Sequence, residues 1–162
     1  MVFLRRVKMS VPILTACAGF LLAVLWMDLM FDSQAGLRGP RPDEAALAAI
    51  GAYYHRATTT SQPRGTLIAG VMAVLLVTLG ADTVLGGRPA WLLIVSGVLA
   101  GGPILLAMLR TVPNAVRLGR RADTAAEQTR LARSVYRDHL VCLASMSTFL
   151  ALQLFADSWS QT

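Results

Sequence analysis

Four apolar runs, at about 11–31, 66–85, 90–109 and 136–156, restrict this chain more than any motif in it. Crossing a hydrocarbon layer of roughly 30 Å takes about 20 residues of helix, which is the length of each run. Lipid offers no partner to a backbone amide, so a spanning segment must close its hydrogen bonds as a helix or join a barrel, whose strands need only ~10 residues. The expected fold is therefore all-α, an integral membrane four-helix bundle made by a single domain over residues 1–162. Composition agrees: 55% hydrophobic residues, 15% charged residues and a mean hydropathy of +0.56 do not describe an ordinary soluble domain.

The connections add detail. Gly86 to Pro89 is short enough to make the second and third spans antiparallel neighbours, with Pro89 suited to a first helical turn. Gly97 and Gly101 form a small-residue face fit for close helix contact, and Gly101, Gly102 and Pro103 are expected to bend the third span. Residues 42–58 open with Pro42, Asp43 and Glu44 and place Leu47, Ile50 and Tyr54 on one stripe. That pattern predicts a short interfacial helix in the first loop, with Tyr53 and Tyr54 in the headgroup belt. Residues 122–137 also favour helix, with Glu127 three positions before Arg130, so the fourth helix is expected to start outside the lipid.

Charge sets the topology. With four spans, Arg5, Arg6, Lys8 and Arg88 share one side, and the other holds eleven arginines in the first loop and around 110–137. The positive-inside rule puts the richer side in the cytoplasm and both termini outside, although the cluster at Arg5, Arg6 and Lys8 argues for the reverse. Ser33, Gln34 and Ala35 before Gly36 resemble a signal-peptide cleavage site, but the run preceding them is long for such a peptide and is interrupted by Asp28. The expected location is a cell membrane, as a multi-pass protein of a bacterial inner membrane. The sequence pI of about 10.4 does not imply nucleic acid, because the arginines flank spans and attraction to anionic lipid explains them. Cys17 and Cys142 fall toward opposite membrane faces, too far apart for a disulfide.

Chemistry is expected where polar residues intrude on the apolar pattern. Asp28 near the end of the first span, Arg110 and Asn114 at the end of the third, and Arg137, Asp138 and His139 at the start of the fourth all fall at the same membrane face. A carboxylate there needs a partner. Asp28 either bridges to Arg110 or Arg137 as a structural lock or serves in binding and proton transfer. His139 is the candidate base, since histidine exchanges protons near neutrality, with Asp28 beside it as the second catalytic candidate. Arg110, Asn114 and Arg137 are the candidate substrate-binding residues, suited to stabilising a phenolate or enolate. Asp32 is expected in the headgroups and Asp82 beside Arg88 at the opposite interface, both structural. His139 and Cys142 share a helix face, but no spacing enforces a full ligand set, so no metal is expected. No phosphate loop, nucleophile elbow or paired CxxC occurs, and no cofactor is implied.

Four spans, Val112-Pro113-Asn114 closing the third and Tyr136-Arg137-Asp138-His139 opening the fourth make the chain similar to the DUF1772 / anthrone oxygenase-like family of small membrane proteins. The resemblance implies a four-span helical fold. Fungal relatives are associated with oxidation of polyphenolic anthrones without an obvious cofactor, and most bacterial relatives have no assigned role. Two functions follow as expectations. One is binding or oxidation of a lipophilic aromatic or quinone-like small molecule in a pocket near one membrane face. The other is a non-enzymatic accessory subunit, a homo-oligomer or the partner of another membrane protein, its Arg-rich loop on lipid.

Overall fold

The computed structural model of the chain describes residues 2–37, 40–60, 62–85 and 88–159, with side chains described at 10–37, 40–59, 63–85 and 88–156. Arg38, Gly86 and Gly87, and the side chains of Arg5, Arg6 and Lys8, therefore lie outside the described residues. The chain is all-α, and four of its helices are long and apolar enough to cross a membrane.

Among the described residues six α-helices follow one another: α1 (Val2–Asp32), α2 (Glu44–His55), α3 (Gln62–Leu85), α4 (Ala90–Leu106), α5 (Val112–Arg120) and α6 (Ala125–Trp159). A π-helical turn at Arg56–Thr60 follows α2, and a second at Ala107–Thr111 joins α4 to α5. The third span is thus one continuous element over Ala90–Arg120. At 35 residues α6 is about 52 Å long, more than a bilayer core needs, and it begins at Ala125, well before the apolar run at 136–156.

The four long helices form a ring. α1 packs on α3 and α6, and α4 packs on the same two. The centre is filled by Leu14, Ala18 and Leu21 of α1, Leu75 and Leu79 of α3, Ala100 and Ile104 of α4, and Met146 and Phe149 of α6. Outward-facing Val77, Ile94, Val98 and Phe155 are exposed, as lipid-facing positions should be.

A second core sits above the first. α2 and α5 pack on each other and on the start of α6, burying Leu47, Ile50, Leu118, Leu131 and Val135 at 1% exposure or less. Burial of each such side chain is worth about 1.5–3 kcal/mol where the alternative is water. The apolar stripe expected on α2 is therefore real, but it faces protein and not lipid. Asp43 caps α2 by accepting from the Ala46 amide at 2.7 Å, and Arg121 pairs with Glu44 to hold the same end. Thr124 and Glu127 open α6 in the spacing of a capping box. Arg117 bridges to Asp123 at 2.8 Å and Glu127 at 3.3 Å, clasping the reversal between α5 and α6, where Arg121 takes the left-handed conformation.

Glycine marks where helices approach closely, and the expected places are wrong. A Cβ at Gly97 or Gly101 would meet nothing within 4 Å, so among the described residues that face of α4 makes no close contact. The close approach is at Gly119, where a Cβ would lie 2.7 Å from the His55 amide nitrogen, so α5 and α2 touch backbone to backbone.

Candidate functional site

A polar layer separates the two cores. On α1 it falls between Leu21 of the lower core and Ala35 of the upper; on α6 it falls between Met146 and Val135; on the third span it falls between Ile104 and Ala115. Asp28 and Asp32, one turn apart, share a face of α1 and supply its two central carboxylates.

Each carboxylate takes one tyrosine of α2. Asp32 is 1% exposed, and its two oxygens accept from the Tyr54 hydroxyl at 2.6 Å and meet His139 Nδ1 at 2.6 Å. Asp28 Oδ1 accepts from the Tyr53 hydroxyl and from Arg64 at 2.6 Å. Tyr53 is held flat by Phe31, ring centres 4.0 Å apart, and lies under the Arg64 guanidinium. Burial, reinforced by the carboxylates, pushes both phenols above their ordinary range. They therefore stand as O–H donors, and the carboxylates as acceptors. With Asp32 able only to accept, the neutral His139 ring carries its proton on Nδ1, leaving the Nε2 lone pair as the ring's basic site.

Asp28, Tyr54, Arg64 and His139 line one cleft of about 410 Å³. Its remaining walls are largely apolar, from Ile68 and Met72 of α3 and Met108, Val112 and Val116 of the third span. Both π-helical turns contribute, through Ala57 and Thr58 from one and Ala107, Met108 and Thr111 from the other. Such turns are uncommon and recur beside functional sites, because one extra residue re-aims the helix face. α3 and α5 do not pack on each other, and exposed Met108 and Val112 mark the opening between them.

The other predicted site residues lie elsewhere. Arg110, Asn114 and Arg137 were expected beside Asp28 and His139, and none of them lines this cleft. Arg110 bonds Ser134 at 3.1 Å and bridges to Asp138 at 3.2 Å, and Asn114 bonds Ser134 at 3.3 Å. Arg110 and Arg137 instead line a separate cleft against α6. The helical period explains the division: Asp138 and His139 are adjacent and point about 100° apart, so the groups clustering around one miss the other. Asp28 is paired by Arg64 and Tyr53, not by Arg110 or Arg137. Asp32, expected in the headgroups, is among the most buried groups in the chain. Tyr53 and Tyr54, expected in the headgroup belt, are buried in the upper core. Among the described residues no three His, Cys, Asp or Glu side chains gather as a ligand set, and Cys17 and Cys142 are free thiols.

Comparison of the chain with protein-family models, with curated proteins and with solved structures finds no match.

Asp32, Arg64 and the two tyrosines were not among the site residues expected from the sequence, yet one signal was present. Two carboxylates four apart on an otherwise apolar helix face must be met by donors at one depth. Besides Arg110, Arg137 and His139, the adjacent tyrosines of the first loop and Arg64 just before the second run are donors on the same side of the bundle.

Proposed function

We propose that this protein binds a lipophilic aromatic or quinone-like small molecule between its helices near one membrane face and exchanges a proton with it. The observation that carries this is the convergence of Asp28, Tyr54, Arg64 and His139 at one end of a cleft whose other walls are mostly apolar. Its volume of about 410 Å³ lies within the ~300–1,000 Å³ typical of ligand sites. The ring system of the guest lies against Ile68, Met72 and Val112, and its oxygen faces the polar end. His139 Nε2 accepts a proton from an acidic O–H or C–H of the guest, and Asp32 steadies the imidazolium that results. Arg64, with a side chain about one-third exposed, is the cation placed to stabilise a phenolate or enolate, the role expected of Arg110. The resemblance to anthrone oxygenase-like proteins suits such a guest. The arginine excess favours the cytoplasmic side for this end of the bundle, against the opposing cluster at Arg5, Arg6 and Lys8.

The test is binding of naphthol and naphthoquinone to the detergent-solubilised protein, followed by thermal stabilisation and by the ultraviolet spectrum of bound naphthol. Wild type is expected to bind both and to shift bound naphthol toward naphtholate. Asp28→Asn and His139→Ala are expected to lose that shift while still inserting into the membrane. Naphtholate formed equally by both variants removes these residues from the function.

An accessory role is favoured by one observation, the open Gly97 and Gly101 face of α4 flanked by exposed Ile94 and Val98, which suits another membrane helix. Gly97→Leu separates the two roles: it breaks an assembly built on that face and leaves naphthol binding intact.

A further inference from the structure

We propose that a second cleft, between the third span and α6, is a binding site for a phosphate group, supplied by the headgroup of an anionic membrane lipid. Its volume is about 380 Å³, and it is lined by Arg110, Arg130, Arg133 and Arg137 together with Thr129 and Ser134. Arg130, Arg133 and Arg137 recur at helical spacing along one face of α6, and Arg110 reaches the same space from the π-helical turn of the third span. A planar guanidinium offers paired donors that match phosphate oxygens, and four of them around one concavity form a cradle and not a scattered surface charge.

The pairing of these groups leaves positive charge for a ligand. Arg110 is bridged to Asp138 and Arg130 to Glu127, whereas among the described residues no carboxylate lies within ion-pair distance of Arg137. Neither Asp138 nor Glu127 lines the cleft, whose polar lining is cations and hydroxyls, with Leu37 and Ala126 as its apolar part. Ser134 is the second pointer. It is 8% exposed, its Oγ accepts from both Arg110 and Asn114, and among the described residues its own hydroxyl proton has no acceptor. A phosphate oxygen in the cleft supplies one.

Position favours lipid as the source. The cleft is lined by the polar end of the third span and the arginine-rich start of α6, and the apolar Leu109 beside Arg110 and Val141 one turn after Arg137 are exposed. A headgroup in the cleft leaves its acyl chains on that apolar strip. Basic pockets between spans on the cytoplasmic side bind anionic headgroups in this way.

The experiment is native mass spectrometry of the detergent-solubilised protein titrated with phosphatidylglycerol or phosphatidylcholine, with and without competing inorganic phosphate. Variants are Arg137→Gln and Arg130→Gln, both at exposed side chains, and Arg120→Gln, exposed and outside the cleft, as the control. Phosphatidylglycerol is expected to bind the wild type in preference to phosphatidylcholine. Arg137→Gln should weaken it about tenfold, the effect of losing one charge-assisted hydrogen bond, and Arg130→Gln should weaken it too. Arg120→Gln should bind as wild type does. Displacement by inorganic phosphate at comparable concentration supports the phosphate site and assigns it a soluble ligand. Equal binding of the two lipids, or equal behaviour of all three variants, overturns the proposal. The outcome is independent of naphthol binding, because the two clefts share no lining residue.

Discussion

Asp32 is the residue whose alteration most directly tests how the polar layer works. Its two oxygens accept from two buried donors, Tyr54 and His139, each at 2.6 Å. Asp32→Ala removes the acceptor of both buried donors at once. Each unsatisfied buried donor costs about 1–3 kcal/mol, so the variant should lose about 2–6 kcal/mol. Asp32→Asn is gentler, because it weakens charge-assisted bonds to neutral ones and also removes a desolvated charge, leaving a loss of about 1–2 kcal/mol. The informative effect of the asparagine is on His139. If its amide oxygen still accepts from Tyr54, its NH₂ faces Nδ1, which must then become an acceptor. The opposite amide orientation would leave the Tyr54 hydroxyl proton with no partner. The ring proton therefore moves to Nε2, and the nitrogen proposed to take a proton from the guest becomes a donor. The chain has two histidines, and His55 is exposed, so nitrogen spectra of histidine-labelled protein contain one reference ring and one reporting ring. The His139 tautomer should invert in Asp32→Asn while His55 stays as it was. An unchanged His139 spectrum, or an Asp32→Ala protein as stable as wild type in a mixed-micelle denaturation, would refute the pairing.

Other consequences are more local. Gly119→Ala drives a Cβ to 2.7 Å from the His55 backbone nitrogen, forces α2 away from α5 and should cost about 1–3 kcal/mol in the same denaturation assay, whereas Gly97→Ala should cost nothing measurable. Both α2 phenols titrate above their ordinary value near pH ~10, so the stability they contribute is complete below that pH and is lost as pH rises through their folded values. Spectrophotometric titration should therefore show a delayed phenolate component that disappears in the Tyr53→Phe, Tyr54→Phe double variant. Arg64→Gln should leave the protein folded, since the Tyr53 bond to Asp28 remains, but should lower naphtholate affinity about tenfold in equilibrium binding, one charge-assisted contact being lost.

How much of this was legible follows from what each level depends on. Length and apolarity alone specify a spanning helix, so the four runs, their order and the gathering of Asp28, Arg110 and His139 at one end could be read directly. The short helix over Glu44–His55 was legible too, from its cap and its stripe. Depth along the membrane normal is a one-dimensional property that the sequence carries. Rotation about each helix axis is not: it decided that Asp138 turns to Arg110 while the adjacent His139 turns to Asp32, a partner 107 residues away. The destination of the stripe on α2 was likewise undetermined, because the same Leu47, Ile50 and Tyr54 pattern serves against lipid or against α5. The π-helical turn at Ala107–Thr111 shifts Arg110 relative to a regular helix, and no residue type announces such a turn.

One core lies among the four long helices and the other where α2 and α5 pack on the start of α6, so the two halves of this molecule are expected to answer to different solvents. The lower half exchanges lipid contacts for protein contacts, so agents that act by weakening water's exclusion of oil have little hold on it. The upper half is held by that exclusion. Urea or cold should therefore loosen α2 from its seat while the spans stay threaded. Tyr53 and Tyr54 would leave with it, and the two aspartates of α1 would face water before a single transmembrane turn had melted.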